Sequence, residues 1–185
     1  FIDNKAVDIN SIADSQHHGI NMIYQELSNL PKLSVAENIF LGILPKKNRF
    51  GIVDFNELFR HTKEHFDNYK IDINPHTKLA NLSVAEKQFV EIMRVVSSRD
   101  AQIIIMDEPT SSLTKEEIEK LFGIIEVLKK RDITVIYISH RLDEVAEVAD
   151  RVSVFRDGKN KGTLEKGNFD QDKIITLMLG HLSDQ

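Results

Sequence analysis

Four consecutive apolar residues, Ile103-Ile104-Ile105-Met106, run directly into Asp107-Glu108-Pro109. An unbroken apolar run of this length, closed by turn residues, reads as a strand buried on both faces, the pattern of a parallel sheet core. A second run, Thr134-Val135-Ile136-Tyr137-Ile138, follows a stretch in which Ile118, Leu121, Phe122, Ile125 and Leu128 recur at helical spacing. It too is expected to be buried. Strand, helix and strand in that order make a βαβ unit, with parallel strands and a right-handed crossover. The chain is therefore expected to be an α/β protein built on a parallel sheet.

Both runs deliver polar residues at their carboxyl ends, Asp107-Glu108 in one case and Ser139-His140 in the other. Open α/β sheets place their ligands there. Adjacent side chains on an extended strand alternate in direction, so Asp107 and Glu108 are expected to divide their work. One would hold a hydrated magnesium ion and the other would face a water beside a phosphate. In neighbouring parallel strands His140 is expected near Glu108, and a water between carboxylate and imidazole is a workable attacking arrangement. Any one of these residues taken singly reads equally well as a loop start or a helix cap. Their combination with Gln25 and the helix that starts at Ser83 points to nucleotide hydrolysis.

Bulk properties fit an ordinary globular domain, with 41% hydrophobic and 29% charged residues. A net charge of −5 with the two signs interspersed gives no basic stripe, so no nucleic-acid partner is expected. The absence of cysteine excludes disulfides and thiolate metal sites. No apolar stretch approaches the roughly 20 residues that span a bilayer. The sequence starts without Met at Phe1-Ile2, followed by Asp3-Asn4-Lys5, which reads as a strand end entering a turn and as a piece of a longer polypeptide.

Three segments are expected: 1–26, the remnant of a nucleotide-binding lobe; 27–97, a mostly helical subdomain; and 98–185, the α/β core. A short helix over residues 10–18 is closed by Gly19, and Ile20 opens a strand reaching Tyr24. Pro31, Gly42, Pro45, Gly51 and Pro75 punctuate the middle segment, with a helix from Asp54 to Tyr69. Ser83 and Glu86, like Thr114 and Glu117, have the spacing of a capping box. Later come a helix over 142–149, a strand over 151–155, a hairpin turn at Asp157-Gly158, and a terminal helix over 170–179 capped by Gly180. No internal repeat or low-complexity tract stands out.

With these residues in place the chain resembles the ATP-binding cassette of ABC transporters over residues 20–180. Met22-Ile23-Tyr24-Gln25-Glu26-Leu27 is similar to the Q-loop, and Leu82-Ser83-Val84-Ala85-Glu86-Lys87-Gln88 holds the signature position. The 103–108 run resembles Walker B, Ser111-Ser112-Leu113-Thr114 the D-loop, and Tyr137-Ile138-Ser139-His140 the switch histidine. Leu33-Ser34-Val35-Ala36-Glu37-Asn38-Ile39-Phe40-Leu41-Gly42 and Ile138-Ser139-His140-Arg141-Leu142-Asp143-Glu144 resemble bacterial monosaccharide importers of the ribose, galactose and xylose type, and their N-terminal cassette in particular. The resemblance implies a partial P-loop NTPase core (an ABC ATPase, RecA-like) with an inserted helical subdomain, on the cytoplasmic face of the membrane. It implies ATP and Mg2+, with Asp107 and Gln25 on the metal side, and Glu108 as general base. His140 would sense the γ-phosphate, and Ser83, Val84, Ala85, Glu86 and Ser112 would contact nucleotide. Partners would be a second cassette and a transmembrane sugar permease, reached through residues between Gln25 and Leu82. The alternative is a soluble ABC ATPase of the regulatory, ribosome-associated or DNA-associated kind.

The sequence departs from the family pattern in three places. Val84 and Ala85 stand where glycines are usual, Thr114 replaces an acidic D-loop residue, and the 185 residues contain no Gly-x-x-x-x-Gly-Lys-Ser/Thr loop. The isolated chain is accordingly expected to bind MgATP weakly or not at all, and to self-associate through apolar sheet surface. His61 and His65, at i and i+4, have a zinc-compatible spacing without a third ligand and read as a solvated face. Phe55, Phe59 and Phe66 read as subdomain core, and Asp143-Glu144 as an exposed helix start.

Overall fold

The computed structural model describes residues 1–2, 4–23, 29–47, 51–98 and 101–180. The chain divides into two units, residues 1–138 and residues 139 onward. The first opens with α1 (Ile12–His17), capped by Ser11, whose hydroxyl accepts from the Asp14 N–H. Gly19, at φ +70°, takes the left-handed position that releases the chain into β1 (Ile20–Ile23). Next come α2 (Val35–Ile39), α3 (Phe55–Asn68), a 3₁₀ turn (Leu79–Asn81) and α4 (Val84–Val96). The unit closes with β2 (Ile103–Asp107), α5 (Lys115–Lys130) and β3 (Thr134–Ile138).

The three strands form a parallel sheet in the order β1-β2-β3. Ile104 pairs with Asn21 and Val135, and Asp107 pairs with Ile138. Paired residues in a parallel ladder share a face. One face therefore carries Ile23, Ile104 and Met106, all fully buried. On that face the Phe122 ring of α5 meets Tyr137 edge-on at 6.3 Å. The other face carries Ile105, Asp107, Ile136 and Ile138, with Ile136 47% and Ile138 46% exposed. The expectation of strands buried on both sides is corrected here: β2 and β3 are packed on one side, and the second side is only partly covered.

The helical segment behaves as its patterns dictate. Asp54 caps α3 through the Glu57 N–H, and Leu58, Thr62 and Phe66 form its buried stripe. Ser83 caps α4, which buries Phe89, Val90, Met93 and Val96. Thr114 and Glu117 form the reciprocal box that starts α5. Three expectations give way. Phe55 is 48% exposed and stacks on Phe59, so only Phe66 is true core. His65 is half-buried against Phe40 and lies 3.5 Å from Ser97 Oγ, so it is packed rather than solvated. Burial, with Arg131 and His61 adding to it, holds its imidazole below the ordinary histidine range.

The second unit contains α6 (Leu142–Val148), β4 (Arg151–Arg156), β5 (Lys159–Glu165) and α7 (Gln171–Leu179). β4 and β5 make an antiparallel hairpin. Its turn has both central residues at positive φ, Asp157 at +53° and Gly158 at +71°. Turns of that kind match the twist of the paired strands. Val154, Leu164 and Ile174 form the core, with Phe169 and Leu177 packed against it. Glu144 is buried at 4% exposure and pairs with Arg141 at 2.9 Å, which corrects its reading as an exposed helix start.

Candidate functional site

Asp107 ends β2 with its carboxylate on the half-covered face of the sheet, level with Ile138. Glu108 does not continue the strand. Its φ is +43°, in the left-handed region that a residue with a Cβ enters at a cost of roughly 1–2 kcal/mol. The alternation expected to separate the two carboxylates therefore stops at Asp107, and a backbone turn aims Glu108 instead. That turn is held by the Glu108 N–H, which donates to the Ile138 carbonyl at 3.0 Å, and by the Glu108 carbonyl, which accepts from the Ser111 N–H at 3.3 Å. Pro109 and Thr110 are buried beneath it, and Ser112 lies exposed beyond it. Thr114 closes the connection, accepting the Glu117 N–H through Oγ1 while its own N–H donates to Glu117 Oε2 at 2.8 Å. One strand-to-helix connection thus brings together Asp107, Glu108 and Ser112.

Ser83, Val84, Ala85 and Glu86 share the amino terminus of α4. The Ser83 N–H donates to Glu86 Oε2 at 2.8 Å, and the Glu86 N–H donates to Ser83 Oγ at 3.2 Å. Val84 is 58% exposed and Ala85 is buried. Gln25 lies outside the described residues. His140 belongs to the second unit, exposed beside Ser139, whose Oγ accepts the Arg141 N–H at 3.0 Å. A cleft of about 480 Å³ lies elsewhere, walled by Phe59 and His76, whose rings sit 3.7 Å apart, and it contains none of the expected site residues.

Among the described residues no group of three or more His, Asp or Glu could hold a metal. Magnesium ordinarily uses one or two carboxylates and completes its shell with phosphate oxygens and water. Asp107, at a strand end on a half-covered face, fits an ion that arrives with a nucleotide; the donor set does not fit a resident protein cage.

Comparison with known proteins places this geometry. A family model described as ABC transporter matches residues 1–111, and the chain belongs to that family. It is 43% identical over all 185 residues to a Halalkalibacterium halodurans protein provisionally named a ribose/galactose/methyl galactoside import ATP-binding protein, covering 35% of that protein. It is 45% identical over 180 residues, 97% of the chain, to a xylose import ATP-binding protein of Thermoanaerobacter pseudethanolicus, again covering 35% of its length. The chain thus spans about a third of the relatives it matches. An ATP-binding cassette of an ABC transporter in its ADP conformation superimposes with a TM-score of 0.76 at 22% identity, over 96% of this chain and 75% of that one. The fold is the α/β fold of ABC ATPases, with a parallel sheet of the P-loop NTPase kind. No helix among the described residues is long and apolar enough to cross a membrane.

One feature of the site escaped the reading of the sequence. Residues 33–37 and 82–86 are the same pentapeptide, Leu-Ser-Val-Ala-Glu. Aligning the chain against itself at a shift of 49 positions, from Leu33 to Leu82, would have found it.

Proposed function

We propose that this chain is part of an ATP-hydrolysing subunit that energises monosaccharide import by an ABC transporter. The observation that carries the proposal is identity of 43–45% across essentially the whole chain to sugar-import ATP-binding proteins. The carboxylate pair at the end of β2 gives it a chemical basis.

In this reading Asp107, with Gln25, holds the magnesium that accompanies ATP. That ion supplies charge neutralisation on the phosphate oxygens. Glu108 is the general base, turned out of the strand by its left-handed backbone so that its carboxylate orients a water. His140 contacts the terminal phosphate. Ser112 and the α4 start, Ser83 to Glu86, contact nucleotide held by a second cassette, because a helix amino terminus offers free N–H groups and a partial positive charge. The helical segment between Gln25 and Leu82 meets the transmembrane permease at the cytoplasmic face of the membrane.

The test is ATP turnover by a polypeptide of the relatives' length carrying this sequence. Glu108→Gln is expected to lower turnover by about 100-fold or more, the range set by loss of a general base. Turnover unchanged by that substitution would remove Glu108 from the chemistry and leave a binding module that does not hydrolyse.

A further inference from the structure

Helices that begin far apart in the sequence end at one place. Tyr69 takes the C-cap position of α3, and Arg131 takes that of α5. Arg131 Nη1 donates to the Tyr69 hydroxyl at 2.8 Å, and the guanidinium carbon lies 5.3 Å from the centroid of the Tyr69 ring. Tyr69 is 6% exposed, so its ring belongs to the packing of the helical segment while its hydroxyl meets a partner 62 positions away. Arg131 also adds to the burial that holds the His65 imidazole below its ordinary range, so it faces that ring as well. His65 in turn meets Phe40 and Ser97, the C-cap residues of α2 and α4. The carboxyl ends of all four helices gather here. Such ends carry partial negative charge, and a guanidinium among them is favourably placed. Its planar fork also suits a position that both donates to a hydroxyl and lies beside an aromatic ring.

The opposite end of α5 begins at Thr114, which closes the connection carrying Glu108 and Ser112. Between the two ends Leu121, Ile125 and Leu128 are buried, and Phe122 meets Tyr137 of β3. At 16 residues α5 is about 24 Å long. It belongs to the same packed frame as the sheet. One end of that frame bears the carboxylate turn, and the other end grips the helical segment.

We propose that Arg131 is a positioning residue: by holding Tyr69 it fixes the helical segment to the helix whose far end bears the Glu108 turn. The permease-facing segment and the hydrolytic turn then keep a set geometry. This rests on the reading of Glu108 as general base and of the helical segment as the permease contact.

The test compares the full-length polypeptide alone with the same polypeptide assembled with its transmembrane permease. Arg131→Met keeps the stem and removes the fork, and Tyr69→Phe keeps the ring and removes the hydroxyl. In the assembled complex each should lower maximal turnover by about two- to tenfold, within the range of single contacts in a coupling network. Half-saturating ATP should stay where it was, and so should turnover without permease. The double variant should be no slower than the slower single one, since both changes remove one contact. Thr62→Val is the control for plain loss of stability. It removes a buried hydroxyl of α3 that donates to the Leu58 carbonyl of its own helix, and it should leave turnover of the complex unchanged.

If Arg131→Met and Tyr69→Phe lower thermal stability but leave turnover of the complex at the parent's value, the pair is packing and the inference falls. It falls too if either variant fails to assemble with permease, or slows turnover equally with and without it. The reading beneath fails separately, through a Glu108→Gln protein with unchanged turnover or a parent whose turnover does not respond to permease.

Discussion

The sheet formed by β1, β2 and β3 has one face that buries Ile23, Ile104 and Met106 completely, and another on which Ile136 and Ile138 keep nearly half their surface in contact with solvent. Full burial of such a side chain contributes roughly 1.5–3 kcal/mol, and half-burial a fraction of that. Asp107 lies on the less covered face, at its carboxyl end. The two faces therefore divide the sheet's tasks. One supplies cohesion, and the other leaves room for chemistry and for contact with further protein. Open apolar surface beside the strand end that carries Asp107 is a feature to be covered by something.

The contrast can be broken most directly by matched truncations. Ile104→Ala on the packed face is expected to cost about 2–5 kcal/mol, and Ile136→Ala on the open face less than about 1 kcal/mol, by denaturant unfolding. Equal losses would show that both faces are equally covered. Self-association tests the open face a second way. The isolated 185-residue chain should form concentration-dependent oligomers in sedimentation, and Ile136→Lys with Ile138→Lys should return it to a monomer. A monomer at every concentration would refute that use of the face.

The packed side has a cost of its own, in α4, which lies against β1. Glu91 is 1% exposed and pairs with Arg94, yet its Oε2 has no hydrogen-bond partner. Burial raises the Glu91 carboxyl above the ordinary carboxylate range, and Arg94 only partly offsets it. A carboxyl with a raised folded-state pKa binds more protons folded than unfolded, so stability falls as pH rises between the ordinary value and the raised one. Glu91→Gln should flatten that fall in a pH series of unfolding midpoints. A profile that keeps its slope would mean that another group causes it. The smallest effect belongs to Glu108, where Glu108→Gly relieves the left-handed strain but loosens the unfolded chain. A net gain of up to about 1 kcal/mol is expected in thermal unfolding, and a loss would show that the side chain anchors the turn.

Features governed by neighbours in sequence were legible. The boxes at Ser83 and Thr114, the extent of α3 from the Asp54 cap, and the Asp157-Gly158 turn all follow from contacts three or four residues apart. Misread features depend on what lies across space. An apolar run such as 103–106 states that burial is tolerated on both sides, not that a second layer is present. Phe55 and Phe59 have core chemistry but stack at the edge of α3, and His65 looks solvated until Phe40 and Ser97 are set against it. The carboxylates at the end of an apolar strand were legible as a strand-end pair, but assuming an extended backbone through Glu108 gave the wrong reason for the separation of Asp107 and Glu108. Burial and the Pro75 and Thr77 carbonyls that accept from the first copy distinguish the two Leu-Ser-Val-Ala-Glu segments, and neither is visible in a pentapeptide.

The left-handed backbone at Glu108 has a bearing on how this protein would respond to directed evolution. Glycine and asparagine occupy φ +43° more comfortably than glutamate does. A library selected for heat resistance alone would enrich those residues at 108 and discard the carboxylate early. Thermostable descendants would then be well-folded proteins that had lost the carboxylate we propose as general base, so any such screen needs turnover as a second gate.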